Sequence, residues 1–326
     1  MIKNKILFRS AFFIILIGLF LLILFRSKSP FGKNNSSFAS EPGGKITKIE
    51  FSEGGKRLNL EKKGENWLIN GKSEARKSGM LFILRILKEI KIKSPVSAEL
   101  FGSEITSKNV IPVKVKVYEK KRLLKSFLVY KTGSNAYGNI MKIKESSKPF
   151  IVYVPGYEGD IGSGFTLNEL FWQPYTVFNL LPSEISSVNL ENFSDTASSF
   201  SIINRNHHYF LFGNDGKITG WDSSRVFRYI SYFAWVPFES WAFNIGETEK
   251  KSIEAKQPLY RISVVNITGK KSVLTLWGMP KGTTAGTLEI DSDRLLGKTD
   301  EKDELFIIRY FDIDPLIKKR SYFFLQ

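Results

Sequence analysis

Apolar and polar residues alternate with a period of two over most of the chain, in short runs. "ITKIEF", "RLNLE" and "NWLING", within residues 46–71, each read as a strand with one buried face. The period then lengthens. In "SGMLFILRILKEI" the residues Met80, Ile83, Leu84, Leu87 and Ile90 recur every three or four positions, which predicts an amphipathic helix. Alternation returns in "PVKVKVY", where Val113, Val115 and Val117 interleave with Lys114 and Lys116, and continues through "SFLVY", "IMKIK" and "FIVYV". The same order then repeats. "ISSVNL", "SSFSII" and "HYFLF" precede a second helix over "SSRVFRYISYFAW", with Val226, Phe227, Ile230 and Ala234 on one face; "YRISVV", "VLTLW", "TLEID" and "LFIIRYF" follow. Matching elements lie roughly 140 to 155 residues apart, which points to an internal duplication. Hairpin-length gaps outnumber the helical crossovers a parallel sheet needs. The predicted fold class is therefore α+β: two tandem, similarly built halves, each a mainly antiparallel sheet with one packed helix.

The chain opens differently. An unbroken apolar run from Ala11 to Phe25 follows Lys3, Lys5 and Arg9 and is followed by Arg26 and Lys28. Such a run rises about 22 Å as a helix, against a hydrocarbon core of roughly 30 Å. Ile6 to Phe8 extend it and the flanking cations reach the headgroups, so residues 1–28 read as a single-pass transmembrane helix. No small-x-small cleavage site follows closely, since Ser37-Phe38-Ala39 stands too far downstream, and the segment reads as an uncleaved anchor. A basic N-terminus stays inside while long domains translocate, which predicts a cell-membrane protein with an extracytoplasmic, periplasmic C-terminal part. Residues 29–44, "SPFGKNNSSFASEPGG", read as a flexible tether. The other boundaries fall at 45–155 for the first repeat, 156–182 for a Gly-rich loop and apolar connector, and 183–326 for the second repeat.

Composition narrows the chemistry. The absence of cysteine removes disulfides, thiolate zinc sites, a lipid-modified N-terminal cysteine and a cysteine nucleophile together. The net charge of +16 is unevenly spread: residues 41–155 carry 24 bases against 11 acids, whereas residues 183–326 carry 18 against 18. A basic first half reads either as a solvated surface or as a face for an anionic partner, such as anionic lipid headgroups or envelope polysaccharide. Nucleic acid does not fit an anchored extracytoplasmic domain.

The segment "FIVYVPGYEGDIGSGF" raises the question of a phosphate-binding loop. Phosphate needs exposed amides in positive potential, but Glu158 and Asp160 lie among these glycines and no Lys or Arg occurs from Pro155 to Ser201. The glycines read as turn formers, and Gly156, Tyr157, Glu158, Gly159 and Asp160 as a candidate interaction loop. "KPFIVYVPGYEGDIGSGF", Phe171-Trp172, "SFSI" and the late "EIDSDR…DELFIIRYFDID" together resemble a bacterial domain-of-unknown-function family (number 4340) of N-terminally membrane-anchored envelope proteins. Its P-G-[FY]-x-G segment, aromatic pair and D-x-D-R turn correspond to Pro155–Gly159, Phe171-Trp172 and Asp291-Ser292-Asp293-Arg294. Asp160, Ile161 and Gly162-Ser163-Gly164 depart from the family's aromatic and arginine after the loop. The resemblance implies no established reaction, and it suggests an accessory role beside an ABC-type membrane complex of the gliding-motility kind.

Reactive groups are few. His207 and His208 are adjacent in a predicted strand and point to opposite faces, so they cannot chelate one ion. Gly297-Lys298-Thr299 lacks the first glycine of a P-loop, since Ser292 stands there. Asp291, Asp293, Asp300 and Asp303 read as a charged hairpin loop, because an EF-hand from Asp291 would need a glycine at Leu296 and a glutamate at Lys302. Asp291, Asp293 and Arg294 form a candidate acidic turn. Trp235, Phe238 and Trp241 read as core packing, with sugar stacking as the alternative. The expected function is a non-enzymatic scaffold or binding module on the lipid bilayer, without metal or cofactor; the alternative is an envelope glycan hydrolase using Glu158 and Asp160 or Asp291 and Asp293.

Overall fold

The structure is a computed structural model that describes residues 38–40, 45–132, 139–157, 159–205, 208–281 and 289–324. The chain divides into two compact units, Met1–Pro174 and Tyr175–Gln326.

The first unit contains β1 (Lys48–Glu53), β2 (Lys56–Lys63), β3 (Asn66–Ile69), β4 (Ser73–Glu74), helix α1 (Lys77–Glu89) and β5 (Lys91–Pro95). Then come α2 (Ala98–Phe101), which runs into a π turn at Gly102–Thr106, and β6 (Val113–Glu119), β7 (Arg122–Tyr130), β8 (Asn139–Lys142), β9 (Phe150–Tyr153) and α3 (Glu169–Trp172). The strands form one antiparallel sheet in the order β4-β3-β2-β1-β6-β7-β8-β9-β5. Its register follows from the alternation. Ile49 faces Leu60 and Val117, and Phe51 faces Leu58 and Val115, so one side of the sheet is wholly apolar. α1 lays Met80, Ile83, Ile86 and Leu87 on it, and Trp172 stacks on Phe51 with ring centroids 5.6 Å apart. The intervening residues face outward and pair across strands, Lys48 with Glu61 (2.9 Å) and Lys116 with Glu50 (3.7 Å). A smaller cluster of Leu128, Tyr130 and Ile140 lies on that outer face beneath Ile105 of the π turn.

The second unit begins with β10 (Thr176–Phe178), β11 (Ile185–Asn192), β12 (Phe200–Arg205), β13 (His208–Gly213), β14 (Gly216–Ile218) and α4 (Ser223–Ser231). It continues with β15 (Val236–Pro237), β16 (Ser240–Trp241), α5 (Glu247–Glu254), β17 (Tyr260–Asn266), β18 (Lys271–Lys281), β19 (Glu289–Thr299), β20 (Phe306–Arg309) and α6 (Tyr310–Ile313). It ends in a 3₁₀ turn at Arg320–Phe323, and β10 pairs with β15 apart from the main sheet. The main sheet runs β14-β13-β12-β11-β17-β18-β19-β20-β16, the first unit's order position by position. Registers match as well: Val188 faces Ile202 and Val264 as Ile49 faces Leu60 and Val117. α4 covers the apolar side with Val226, Tyr229 and Ile230, and Trp277 and Leu296 pack beneath Ile253 of α5 on the other.

The expected architecture, an α+β chain of one transmembrane helix and two halves with one helix each, needs correction. Among the described residues no helix is long and apolar enough to cross a membrane. The run from Ala11 to Phe25, like the rest of residues 1–37, lies outside the described residues. Each unit also carries three short helices beside its sheet. α2 and α5 escaped notice because they are four and eight residues long, too short for periodicity to register. The tether differs at its end: Phe38 is buried, and the N–H and hydroxyl of Ser40 both donate to the Leu87 carbonyl (2.8 and 3.0 Å) in the last turn of α1. Phe227 is 56% exposed and Tyr229 is buried instead. The Asp222 carboxylate accepts the Ser224 N–H (2.7 Å) and starts the helix at Ser223, which sets the inward face at 226, 229 and 230. The stretch read as a connector is split, since the units meet between Pro174 and Tyr175 and Phe165 and Trp172 complete the first core.

Candidate functional site

The loop after β9 is a packing device. Val154-Pro155-Gly156-Tyr157 closes with the Tyr157 N–H on the Val154 carbonyl (3.1 Å), and Gly156 has φ +69°, the conformation a type II turn requires after proline. Tyr157 then packs its ring against Phe82 of α1 at 5.6 Å. The later glycines allow close approach rather than positive φ. A Cβ on Gly164 would lie 3.0 Å from Phe82 and 3.1 Å from Ile86, and one on Gly162 would collide with Asn139 Oδ1. Asp160 is occupied locally, accepting the Gly162 N–H at 2.7 Å and so capping the 3₁₀ turn Ile161–Gly164. Tyr157 stands over Gly159, whose added Cβ would meet the phenol oxygen at 2.6 Å. Glu158 lies outside the described residues.

The acidic turn is not a hairpin loop but a bulge inside β19. Gly278 pairs with Leu295 and Pro280 with Ile290, which leaves Asp291–Arg294 opposite Met279 alone. Asp291 Oδ1 accepts the freed N–H groups of Asp293 (2.8 Å) and Arg294 (3.2 Å). The Arg294 guanidinium grips Glu239 with two parallel hydrogen bonds, 2.9 and 3.1 Å, and this holds the Glu239 carboxyl below its ordinary range. Asp300 accepts the Val273 N–H (2.9 Å). Asp303 accepts from Lys298 (2.8 Å) and pairs with Lys250 (3.2 Å), which lowers its pKa, and Lys250 also donates to the Asp303 carbonyl. Each of these acids thus serves its own scaffold. His208 is exposed in β13, and His207 lies outside the described residues. Among the described residues no three His, Asp or Glu side chains converge to hold a metal ion.

Of the aromatic trio, Phe238 and Trp241 are buried together with ring centroids 4.8 Å apart, whereas Trp235 is 62% exposed.

Two other places converge. At one end of the first sheet three chain segments meet on Thr47, whose N–H donates to the Tyr118 carbonyl (2.9 Å) and whose carbonyl accepts the Lys62 N–H (2.8 Å). Its hydroxyl oxygen accepts the Lys120 N–H (2.5 Å), and the Lys45 N–H donates to Glu119 (3.3 Å). This hub gathers Lys45, Lys62, Lys63, Lys120, Lys121 and Arg122, all exposed and none ion-paired among the described residues, with half-exposed Leu123 beside them. Glu65 and Glu119 are the acids nearby in the same turns. The charge count flagged the first half, but only the register of β1, β2 and β6 brings these cations to one edge. The second place is a cavity of about 660 Å³ in the second unit, between residues 195–198, the β13–β14 hairpin and the 3₁₀ turn at Arg320. Nothing in the alternation of the sequence announces it, because its walls come from turns.

No protein-family model, curated protein or solved structure matches the chain.

Proposed function

We propose that the chain is a non-enzymatic, membrane-anchored, extracytoplasmic scaffold or binding module of a bacterial envelope. Its first unit would present a cationic end to an anionic surface. The observation that carries this reading is the convergence around Thr47 of six exposed cations, unpaired among the described residues, with Glu65 and Glu119 the acids in the same turns. A merely solvated surface would scatter its charges. Attachment is assigned to the apolar run Ala11–Phe25, thirteen residue steps before Phe38, the first described residue seated in the core. That is a reach of at most about 45 Å, so the first unit stays near the surface. An accessory role beside an ABC-type or gliding-motility-like complex rests on the family resemblance alone. Of the four carboxylates in the alternative hydrolase reading, Asp160 and Asp291 accept backbone N–H groups.

The test is flotation of the full chain with vesicles. Binding to phosphatidylcholine vesicles that survives about 1 M salt, where the screening length is about 3 Å, reports the anchor. Because the chain has no cysteine, a fluorophore on Lys121→Cys reports proximity to headgroup quenchers. Quenching should rise when phosphatidylglycerol is added, vanish at high salt, and be lost in a Lys62→Glu, Lys63→Glu, Lys120→Glu variant. A full chain that never floats sinks the anchored reading, and salt-independent quenching sinks the cationic end.

A further inference from the structure

We infer that the cavity of the second unit binds a small zwitterion of dipeptide size, with its carboxylate on Arg320 and its ammonium toward Asp215. The inference is independent of membrane attachment.

It begins from where the two copies differ. Trp172 and Phe323 are equivalent: the Trp172 carbonyl accepts the Arg76 N–H (2.6 Å) just before α1, and the Phe323 carbonyl accepts the Asp222 N–H (2.8 Å) just before α4. Three residues earlier stand Glu169 and Arg320, each the first residue of its helical turn. In the first unit Glu169 closes onto the β3–β4 hairpin, accepting from the Asn70 side chain at 2.6 Å. In the second unit the matching hairpin offers Gly213, and the Arg320 guanidinium lies over it so closely that a Cβ there would meet Nη1 at 2.5 Å. Arg320 has no hydrogen-bond or ion-pair partner among the described residues, and neither has Asp215. The loops differ too. β1 and β2 are joined by Gly54-Gly55, at φ +53° and +84°, a two-residue turn with no room for a wall. Between β11 and β12 the chain instead runs through Phe193–Ser199 and folds a 3₁₀ turn, Thr196–Ser198, that forms one side of the cavity. A longer loop and an arginine in place of a glutamate thus coincide at one spot, over a glycine position that both copies share as Gly71 and Gly213.

Charge selects the ligand class. The lining carries Asp195 and Asp215 against Lys217 and Arg320, so carboxylates and cations both face the cavity and a ligand bearing both charges is complementary to it. Asp195 is used, accepting the Ser198 hydroxyl at 2.6 Å and pairing with Lys319 at 3.9 Å, and Lys217 lies over the Phe210 ring at 4.9 Å. The groups left over are one planar cation and one carboxylate. The guanidinium fork matches a carboxylate with two parallel hydrogen bonds, and the volume lies within the range of small-ligand sites.

The experiment titrates the full chain with alanylalanine by calorimetry, beside N-acetyl-alanylalanine, alanylalanine amide and inorganic phosphate. Only the free dipeptide should bind well, with either blocked form weaker by about ten- to hundred-fold, the worth of one hydrogen-bonded charge. Arg320→Gln and Asp215→Asn should each cost a similar factor. Gly213→Ala should weaken binding with little change in the thermal transition, because the added methyl meets only side-chain ends, Arg320 Nη1 at 2.5 Å and Ile218 Cδ1 at 3.1 Å. Phosphate binding more tightly than the dipeptide, no dipeptide binding at about 10 mM, or full affinity in Arg320→Gln would overturn the assignment.

Discussion

Alanine at Gly297 should destabilise the second unit by about 1–2 kcal/mol and leave the first unit untouched. Gly297 lies in β19 between Leu276 of β18 and Phe306 of β20. An added Cβ would stand 2.7 Å from Cζ and 3.1 Å from Cδ2 of the Phe306 ring, with Cε2 closer still, where carbon atoms prefer about 3.5–4.0 Å. The ring has little freedom to retreat. It is 1% exposed, 4.5 Å from the Phe238 ring centroid and 6.0 Å from that of Trp241. Moving such a cluster costs about 1–3 kcal/mol, and the entropy gained by replacing glycine in a strand returns at most about 1 kcal/mol. In a unit of roughly 150 residues the remainder lowers Tm by about 2–8 °C. Differential scanning calorimetry on the full chain should show the transition of one unit shifting alone. The first copy gives an internal control, because the position matching Gly297 is Met141, which faces Phe150 without needing a glycine. Adding Phe306→Leu should therefore restore part of the loss. A Tm equal to or above that of the parent would refute the claim that the Phe306 ring is fixed.

Phe38→Ala should cost about 3–5 kcal/mol in the first unit, since its ring is buried edge-on against Phe127 at 5.9 Å and Phe150 at 6.4 Å; an unchanged urea transition would mean that residues 38–40 are dispensable to the fold. Acid should weaken the second unit first. The carboxyls held low by hydrogen bonds are Glu239 (to Arg294), Asp222 (to Ser224) and Asp303 (to Lys298), all in that unit. A depressed folded pKa gives stability that is complete above the ordinary carboxylate range and is lost as pH falls below about 4. Glu304, raised by burial, works in the opposite sense and blunts the effect. Denaturant midpoints measured for each unit from pH 7 to 3 check this, and a first unit that yields earlier would contradict it.

The strands were legible because a sheet with one buried face writes its register into the sequence: Val113, Val115 and Val117 are buried, and Lys114 and Lys116 lie on the outward face. What the alternation missed has common physical causes. β5 reads "KIKSP", an edge strand whose outward lysines hide its pairing with β9. The bulge at Asp291–Arg294 reads as a loop, because its residues answer to a hydrogen-bonding need created by the neighbouring strand rather than to burial. The phase of α4 depended on its first residue, and a cap at Asp222 moved Phe227 outward. Phe38 looked like a tether residue because a single aromatic among Ser, Asn and Gly has no periodicity to betray it.

The same reasoning explains why the candidate sites were hardest to see. Loops that drew attention in the sequence, glycine-rich or acidic, owe those residues to local demands: positive φ at Gly156, close approach at Gly162 and Gly164, and unpaired amides beside Asp291. Rare residue types in a turn are first of all a response to backbone geometry. A ligand demand shows only after those needs are met, and a repeated fold offers a direct way to subtract them. Glu169 and Arg320 occupy one position of one topology, so packing requirements are shared and cancel, and the remaining difference is a carboxylate that closes on Asn70 against a guanidinium left open to a cavity. Similar subtraction sets the Thr47 end of the first sheet against the Glu184 end of the second. In the second unit the Glu184 carbonyl accepts the Ile267 N–H (2.9 Å), and exposed Leu181 and Ile267 stand there with exposed Arg205 and with Lys270, which pairs with Glu301. The second copy has Ile267 where the first has Lys120, and it ties Lys270 to Glu301, so the shared topology by itself does not require six unpaired cations at this end.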